Sequence, residues 1–411
     1  MKRNELRNEL RFLLFCALIG ATAGVVFWLF LFAMQQGTWL VWNVLPQEVA
    51  SSMWYSVAVC GVGGLLLGLL HRRFGDYPEP MADVFARIKR TGTYPYKNIL
   101  AIILMALIPL LIGSSVGPEA AMVGIMAALC CWAGENLRFA GAESAYYSKI
   151  GASVGLSVMF RSPLFGVFEV EEGDEESGLG ELSRSGKAVA YCVAAGAGFG
   201  CFSLLSRLFG GVASGFPSYE VVQGSWLDVL LFVPYVAFGV AFGLFFLAGE
   251  HGFDWLGNKL PTIACELGAG IVLGVVTALL PAVRFSGETQ IEVLMGGGFG
   301  LYAPLAVVGV AFAKVLLTNM CTGLGLRGGH FFPLIFASAC FGTGLSELLF
   351  GGDVAHATIA AAVVAAATLA TTMKKPFAVA MLLMLCFPAR MLGWIVPAAA
   401  VGAWVSQKIK L

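Results

Sequence analysis

The chain has 411 residues, 58% apolar and only 12% charged, and its 25 basic and 25 acidic residues cancel to a formal net charge of zero. A mean hydropathy of +0.83 lies far above that of a water-soluble domain. These values exclude a soluble globular protein and a basic nucleic-acid-binding surface, and they make the lipid bilayer the first partner.

Met1–Arg11 mixes four basic residues with two glutamates and offers no small-residue cleavage site, so the apolar run Phe12–Met34 behind it is read as a retained helix. Further charge-free stretches lie at Tyr55–Leu70, Asn98–Pro118, Ala188–Ser206, Val229–Gly249, Leu267–Val283 and Met391–Gln407. Most approach the ~20 residues that span a bilayer as a helix, and shorter apolar runs between them suit tilted or half-spanning helices. Gln35–Met53 and Gly210–Trp226 hold no Lys or Arg, whereas His71–Lys97 holds Arg72, Arg73, Arg87, Lys89, Arg90 and Lys97. By the positive-inside rule the N-terminus and the loop near residue 80 are cytoplasmic. The C-terminus is placed on the same side, and the chain in the plasma (inner) membrane.

Two turn-rich stretches interrupt this apolar background: Gly113-Ser114-Ser115-Val116-Gly117-Pro118-Glu119 and Leu326-Arg327-Gly328-Gly329-His330-Phe331-Phe332-Pro333. Each opens an apolar run. The first N–H groups of such a helix lack intrahelical acceptors and carry the positive end of its dipole, which favours an anion at membrane depth. The halves also echo each other. Arg73-Phe74-Gly75-Asp76 is answered by Arg284-Phe285-Ser286-Gly287, and Pro163 and Pro376 follow Pro118 and Pro333 by 45 and 43 residues. A weak repeat with interrupted helices in matching places marks transporter and channel folds whose ion site lies at the repeat interface. Arg73 falls in a basic loop and Arg284 is the sole basic residue of Pro281–Phe299, which supports an inverted relation between the repeats.

With Gly329-His330-Phe331-Phe332-Pro333 intact as Gly-x-Phe-x-Pro, the sequence resembles the CLC superfamily of chloride channels and proton-coupled anion exchangers over nearly its whole length. The family's Gly-Arg/Lys-Glu-Gly-Pro turn is matched by Ser114-Ser115-Val116-Gly117-Pro118, and its Gly-Ser-Gly-x-Pro turn, more loosely, by Gly75-Asp76-Tyr77-Pro78-Glu79. The resemblance implies a homodimer with one anion pathway per subunit. It also implies an anion site of backbone N–H groups, here at Gly117, Glu119, His330 and Phe331.

Departures from the family pattern carry as much information. Val116 stands where the family has its gating glutamate, and a valine neither titrates nor swings a charge into an anion site. Gly75 takes the first-motif position of the serine whose hydroxyl holds the anion. The last spanning helix with its inner tyrosine is not matched before Leu411. Glu119 is read either as a replacement gate or as an acidic partner of its helix dipole. Glu172 matches the family's internal proton-transfer glutamate, or else belongs to a solvated acidic run from Glu171 to Glu176. Glu169, inside an apolar turn, is a second candidate acid. Arg327 draws anions to the pathway mouth, neutralises a carboxylate such as Glu119, or reaches the interface. His330 offers its backbone N–H, with its imidazole either packed or pH-sensitive.

The ten cysteines are scattered through apolar segments and the four histidines are dispersed, so no metal, cofactor or enzymatic constellation is read. The expectation is an all-α integral membrane protein, a single transport domain over 1–411 with inverted repeats near 12–209 and 226–407. Its function is passive permeation of small monovalent anions, chloride first, uncoupled from protons. The alternatives are a proton-coupled exchanger using a non-standard glutamate and a membrane descendant that no longer transports.

Overall fold

Once an apolar chain leaves water, its backbone N–H and C=O groups must pair within the protein, and the helix satisfies them within one segment. The computed structural model describes residues 2–49, 53–91, 93–136, 184–210, 217–295, 303–351 and 353–409. Among them every regular element is helical: α1 (Lys2–Trp39), leading through a π-helical turn at Leu40–Val44 into α2 (Leu45–Val49), α3 (Met53–Phe74), α4 (Met81–Thr91), α5 (Ile99–Leu111) and α6 (Glu119–Asn136). There follow α7 (Arg184–Phe209), α8 (Trp226–Gly257), α9 (Thr262–Leu279), α10 (Glu288–Met295), α11 (Pro304–Gly323), α12 (Phe331–Phe350), α13 (Val354–Met373), α14 (Pro376–Leu383) and α15 (Leu392–Lys408). Nine helical stretches among the described residues are long and apolar enough to cross a membrane, so the protein is a multi-pass integral membrane protein. The run anticipated at Asn98–Pro118 is instead the 13-residue α5, with Pro109 in its last turn.

The chain divides into two compact units. The first comprises Met1–Gly37, Pro78–Leu104 and Glu119–Ser214. Here α1 and α7 run parallel and touch backbone to backbone: a Cβ at Gly20 would fall 1.9 Å from the Ala194 carbonyl oxygen, and one at Gly24 2.2 Å from that of Gly198. In lipid, helices gain little from burying apolar surface, so such close approach supplies the packing. At the start of α4, Arg87 pairs with Glu79 at 2.5 Å.

The second unit comprises Thr38–Tyr77, Met105–Pro118 and Gly215–Leu411. Its α3 and α9 cross antiparallel on glycines from both helices: Gly64 lies against the Glu266 carbonyl, Gly270 against that of Cys60, and Gly274 against Val57. The alanine-rich α13 is buried on every side from Thr358 to Thr371, as befits a helix apolar all round. Gly239 and Gly243 of α8, Gly342 of α12 and Gly402 of α15 each press on its backbone or its small side chains.

Candidate functional site

The first turn-rich stretch begins where Pro109 disturbs α5. After Leu111 the chain turns at Gly113 with φ +82°, and the Ser114 N–H donates to the Pro109 carbonyl at 3.0 Å. Glycine is required at 113 twice over, because a Cβ there would also fall 2.9 Å from Cγ of Arg284. Residues 112–118 are all buried. The second stretch begins as α11 ends, turns at Gly325 with φ +99°, and enters α12 with His330 as the N-cap residue.

These two stretches pair. The Gly117 N–H donates to the Gly329 carbonyl at 2.7 Å, and the Gly329 N–H returns a bond to the Gly117 carbonyl at 2.7 Å, as an isolated antiparallel bridge. The pairing is tight enough to dictate a neighbour, since a Cβ on Gly328 would lie 2.5 Å from Cγ2 of Val116. Val116 itself is 1% exposed. Below it, Ser115 Oγ and Thr318 Oγ1 share a hydrogen bond of 2.9 Å, and Thr318 also donates to the Lys314 carbonyl. The helix α11 thus anchors the turn that leads to Val116.

The predicted site residues fall out as follows. Val116, Gly117, His330, Phe331, Arg327 and Gly75 belong to the second unit. Glu119 is buried as the first residue of α6, in the first unit. Glu169 and Glu172 lie outside the described residues. The expectation that the Gly117 N–H faces an anion is corrected, because that N–H already donates to Gly329. His330 and Phe331 stand at the N-terminal, partially positive end of α12, where Pro333 contributes no N–H of its own. The His330 ring packs against Phe246 and Phe331, with centroids 5.3 and 4.9 Å away. Arg327 meets the carboxylate of Asp76 at 3.1 Å. Gly75 adopts φ +95° and donates to the His71 carbonyl at 2.9 Å, so it terminates α3 as a left-handed cap.

Sequence reading passed over several buried ionisable residues in this unit, three of them, Lys314, His71 and Glu266, close to the turn-rich stretches or the loops they touch. Lys314 is fully buried in mid-span, and its ammonium donates to the carbonyls of Val283 (3.0 Å) and Phe285. Phe285 takes a left-handed φ of +61°, and its own N–H donates to the Gly113 carbonyl. Beside it, Arg284 lies 4.0 Å over the Trp42 ring and donates to the Thr277 carbonyl. Its burial holds the guanidinium below its ordinary pKa. His71 and Glu266, the other two, meet across α3 and α9 at 2.7 Å. The available signal was the same for all three: an ionisable side chain inside a membrane helix faces a partner or a cavity.

Residues 63–407 match the family model described as voltage gated chloride channel. The chain belongs to that family. Among curated members, chloride channel protein CLC-f of Arabidopsis thaliana is 25% identical over 380 residues, 85% of this chain and 46% of that protein, so the chain spans about half of that relative. The voltage-gated ClC-type chloride channel ClcB of Salmonella dublin is 26% identical over 359 residues, covering 82% and 81% of the two chains. A crystal structure of a slow cyanobacterial Cl−/H+ antiporter superposes with a TM-score of 0.77 at 18% identity, covering 97% of this chain and 95% of the other. The fold is therefore that of the CLC proteins, in which the resemblance noted above places two inverted repeats. In the resemblance noted above, the buried Val116 stands where the family has its gating glutamate and Ser115 where it has a basic residue.

Proposed function

We propose that the protein lets small monovalent anions, chloride foremost, pass down their gradient across the plasma (inner) membrane without coupled proton movement. The single transport domain over 1–411 works as a homodimer with one pathway per subunit and both termini in the cytoplasm. One observation carries the uncoupled reading: the gate position holds Val116, buried against Gly328, with no group to titrate or to compete with an anion. The anion is held by the dipole end of α12 at His330 and Phe331. Partial charges there offset desolvation without a buried full charge that would trap the ion. Arg327 raises the local anion concentration at the mouth. No cofactor is called for.

The test is anion efflux from liposomes containing the purified protein, compared with Val116→Glu. The parent releases chloride rapidly. The glutamate variant is slower at neutral pH and recovers in acid, where its carboxylate is neutral. A parent without flux, though folded and inserted, overturns the reading and favours a non-transporting descendant.

A further inference from the structure

Inside the second unit sits a buried acid and imidazole that the anion pathway does not use. His71, in the last turn of α3, and Glu266, in the first turns of α9, have side chains only 1% exposed each. His71 Nε2 lies 2.7 Å from the Tyr77 carbonyl oxygen, and Nδ1 lies 2.7 Å from Glu266 Oε1. A carbonyl only accepts, so Nε2 carries a hydrogen. The contact between Nδ1 and Oε1 then needs a hydrogen of its own, or two acceptors would face each other at that distance. Whether it sits on nitrogen or oxygen, the pair holds one shared proton and no net charge.

Its surroundings are arranged around that proton. A Cβ at Gly325 would fall 2.7 Å from Glu266 Oε1, and one at Gly68 would fall 3.2 Å from Oε2. At Gly325 the approach and the φ of +99° both call for glycine, and Gly68 adds a second close contact. Glu266 Oε2 has no hydrogen-bond partner among the described residues, so the imidazole makes the one hydrogen bond described for this carboxyl. Among the described residues, the other charged or titratable groups facing the pair are Asp76 and Arg327, joined to each other at 3.1 Å, and the thiol of Cys265 beside Glu266. Asp76 and Arg327 act on Glu266 in opposite senses. The pair therefore touches both segments that carry the motifs, 75–77 through Tyr77 and 325–329 through Gly325.

We propose that His71 and Glu266 form a proton-binding site that sets the activity of the anion pathway. The ligand is a proton and nothing else. Binding a second proton gives imidazolium beside a neutral carboxyl, with Nδ1–H donating to Oε1 and one net positive charge. Losing the shared proton leaves imidazole against carboxylate, one net negative charge and a broken contact. The positive state raises the affinity of a nearby anion and the negative state lowers it. Protons here act as a regulator and do not travel with the anion. The flux effect rests on the anion-pathway reading above, whereas proton binding itself does not.

Two measurements on the purified dimer or monomer, as it exists in detergent or liposomes, decide it. Infrared difference spectra recorded across a range of pH follow the C=O stretch of a protonated carboxyl in the parent and in Glu266→Gln. Chloride efflux is recorded over the same range for the parent, Glu266→Gln and His71→Gln. Glutamine at 266 can still donate to Nδ1, so that variant keeps the contact and its fold. The expected result is a carboxyl band that titrates in the parent and is lost in Glu266→Gln, with efflux rising in acid in the parent and flat in both variants. A band unchanged by Glu266→Gln overturns the proton site. A band that titrates while efflux keeps the same pH profile in parent and variants overturns the regulatory role. No efflux in any protein fails the anion reading instead, and the infrared result still decides the site.

Discussion

Val116 and Gly328 define each other. Adding one methyl group at 328 places it 2.5 Å from a Val116 methyl and 3.0 Å from the Gly117 carbonyl oxygen. Gly328→Ala should therefore cost about 1–3 kcal/mol as overpacking, read as a lower melting temperature of the purified protein. Shortening the neighbour in Gly328→Ala/Val116→Ala should recover part of that loss, and equal loss in the double variant would show that the Gly117 carbonyl is the obstruction. The Asp76–Arg327 pair makes the opposite prediction. With side chains 56% and 32% exposed, Asp76→Asn should change stability by less than about 1 kcal/mol. It should raise the rate of chloride efflux at low ionic strength by freeing Arg327, an effect that fades in high salt. At this scale the sequence was only partly legible. The left-handed turn at Gly75 suits a residue type visible in the sequence, whereas the gate and first-motif roles of Val116 and Gly75 are what the family resemblance implies. That the Gly117 N–H is already paired, and that Arg327 meets Asp76, depends on chain segments more than 200 residues apart.

Among the elements, the crossing of α3 and α9 carries the clearest prediction. Gly64 and Gly270 meet opposing carbonyl oxygens at 2.2 Å from where a Cβ would stand, so no larger residue fits without moving a helix. Gly270→Leu should remove the close approach that lipid-embedded helices depend on and reduce the yield of monodisperse protein in size-exclusion chromatography. Gly268→Leu on the same helix, where a Cβ meets nothing within 4 Å, should be tolerated. Most spanning helices were legible as charge-free runs. α11 and α13 were not among those runs; in α11 Lys314 breaks the run, and its ammonium is taken up by two carbonyls from a loop about 30 residues upstream and lies over the Phe336 ring. α5 was overestimated, because charge-free composition continues through a turn that Pro109 and Gly113 impose.

For the molecule as a whole, family membership rests on a match to residues 63–407 and on the shared CLC fold. Composition announced a membrane protein and paired motifs announced the family, since both are properties of local sequence. The grouping of residues 38–77 and 105–118 with residues 215–411 was not legible, because it arises from contacts between segments far apart in the chain. The central claim is that anions move without protons, since the residue that would link them is a buried valine. The measurement that tests it most directly records chloride and proton electrodes together while liposomes containing the protein relax from an outward chloride gradient at equal pH. Chloride release with no proton movement beyond that of protein-free liposomes is expected. Protons driven steadily against their own gradient, in fixed proportion to chloride, would contradict it.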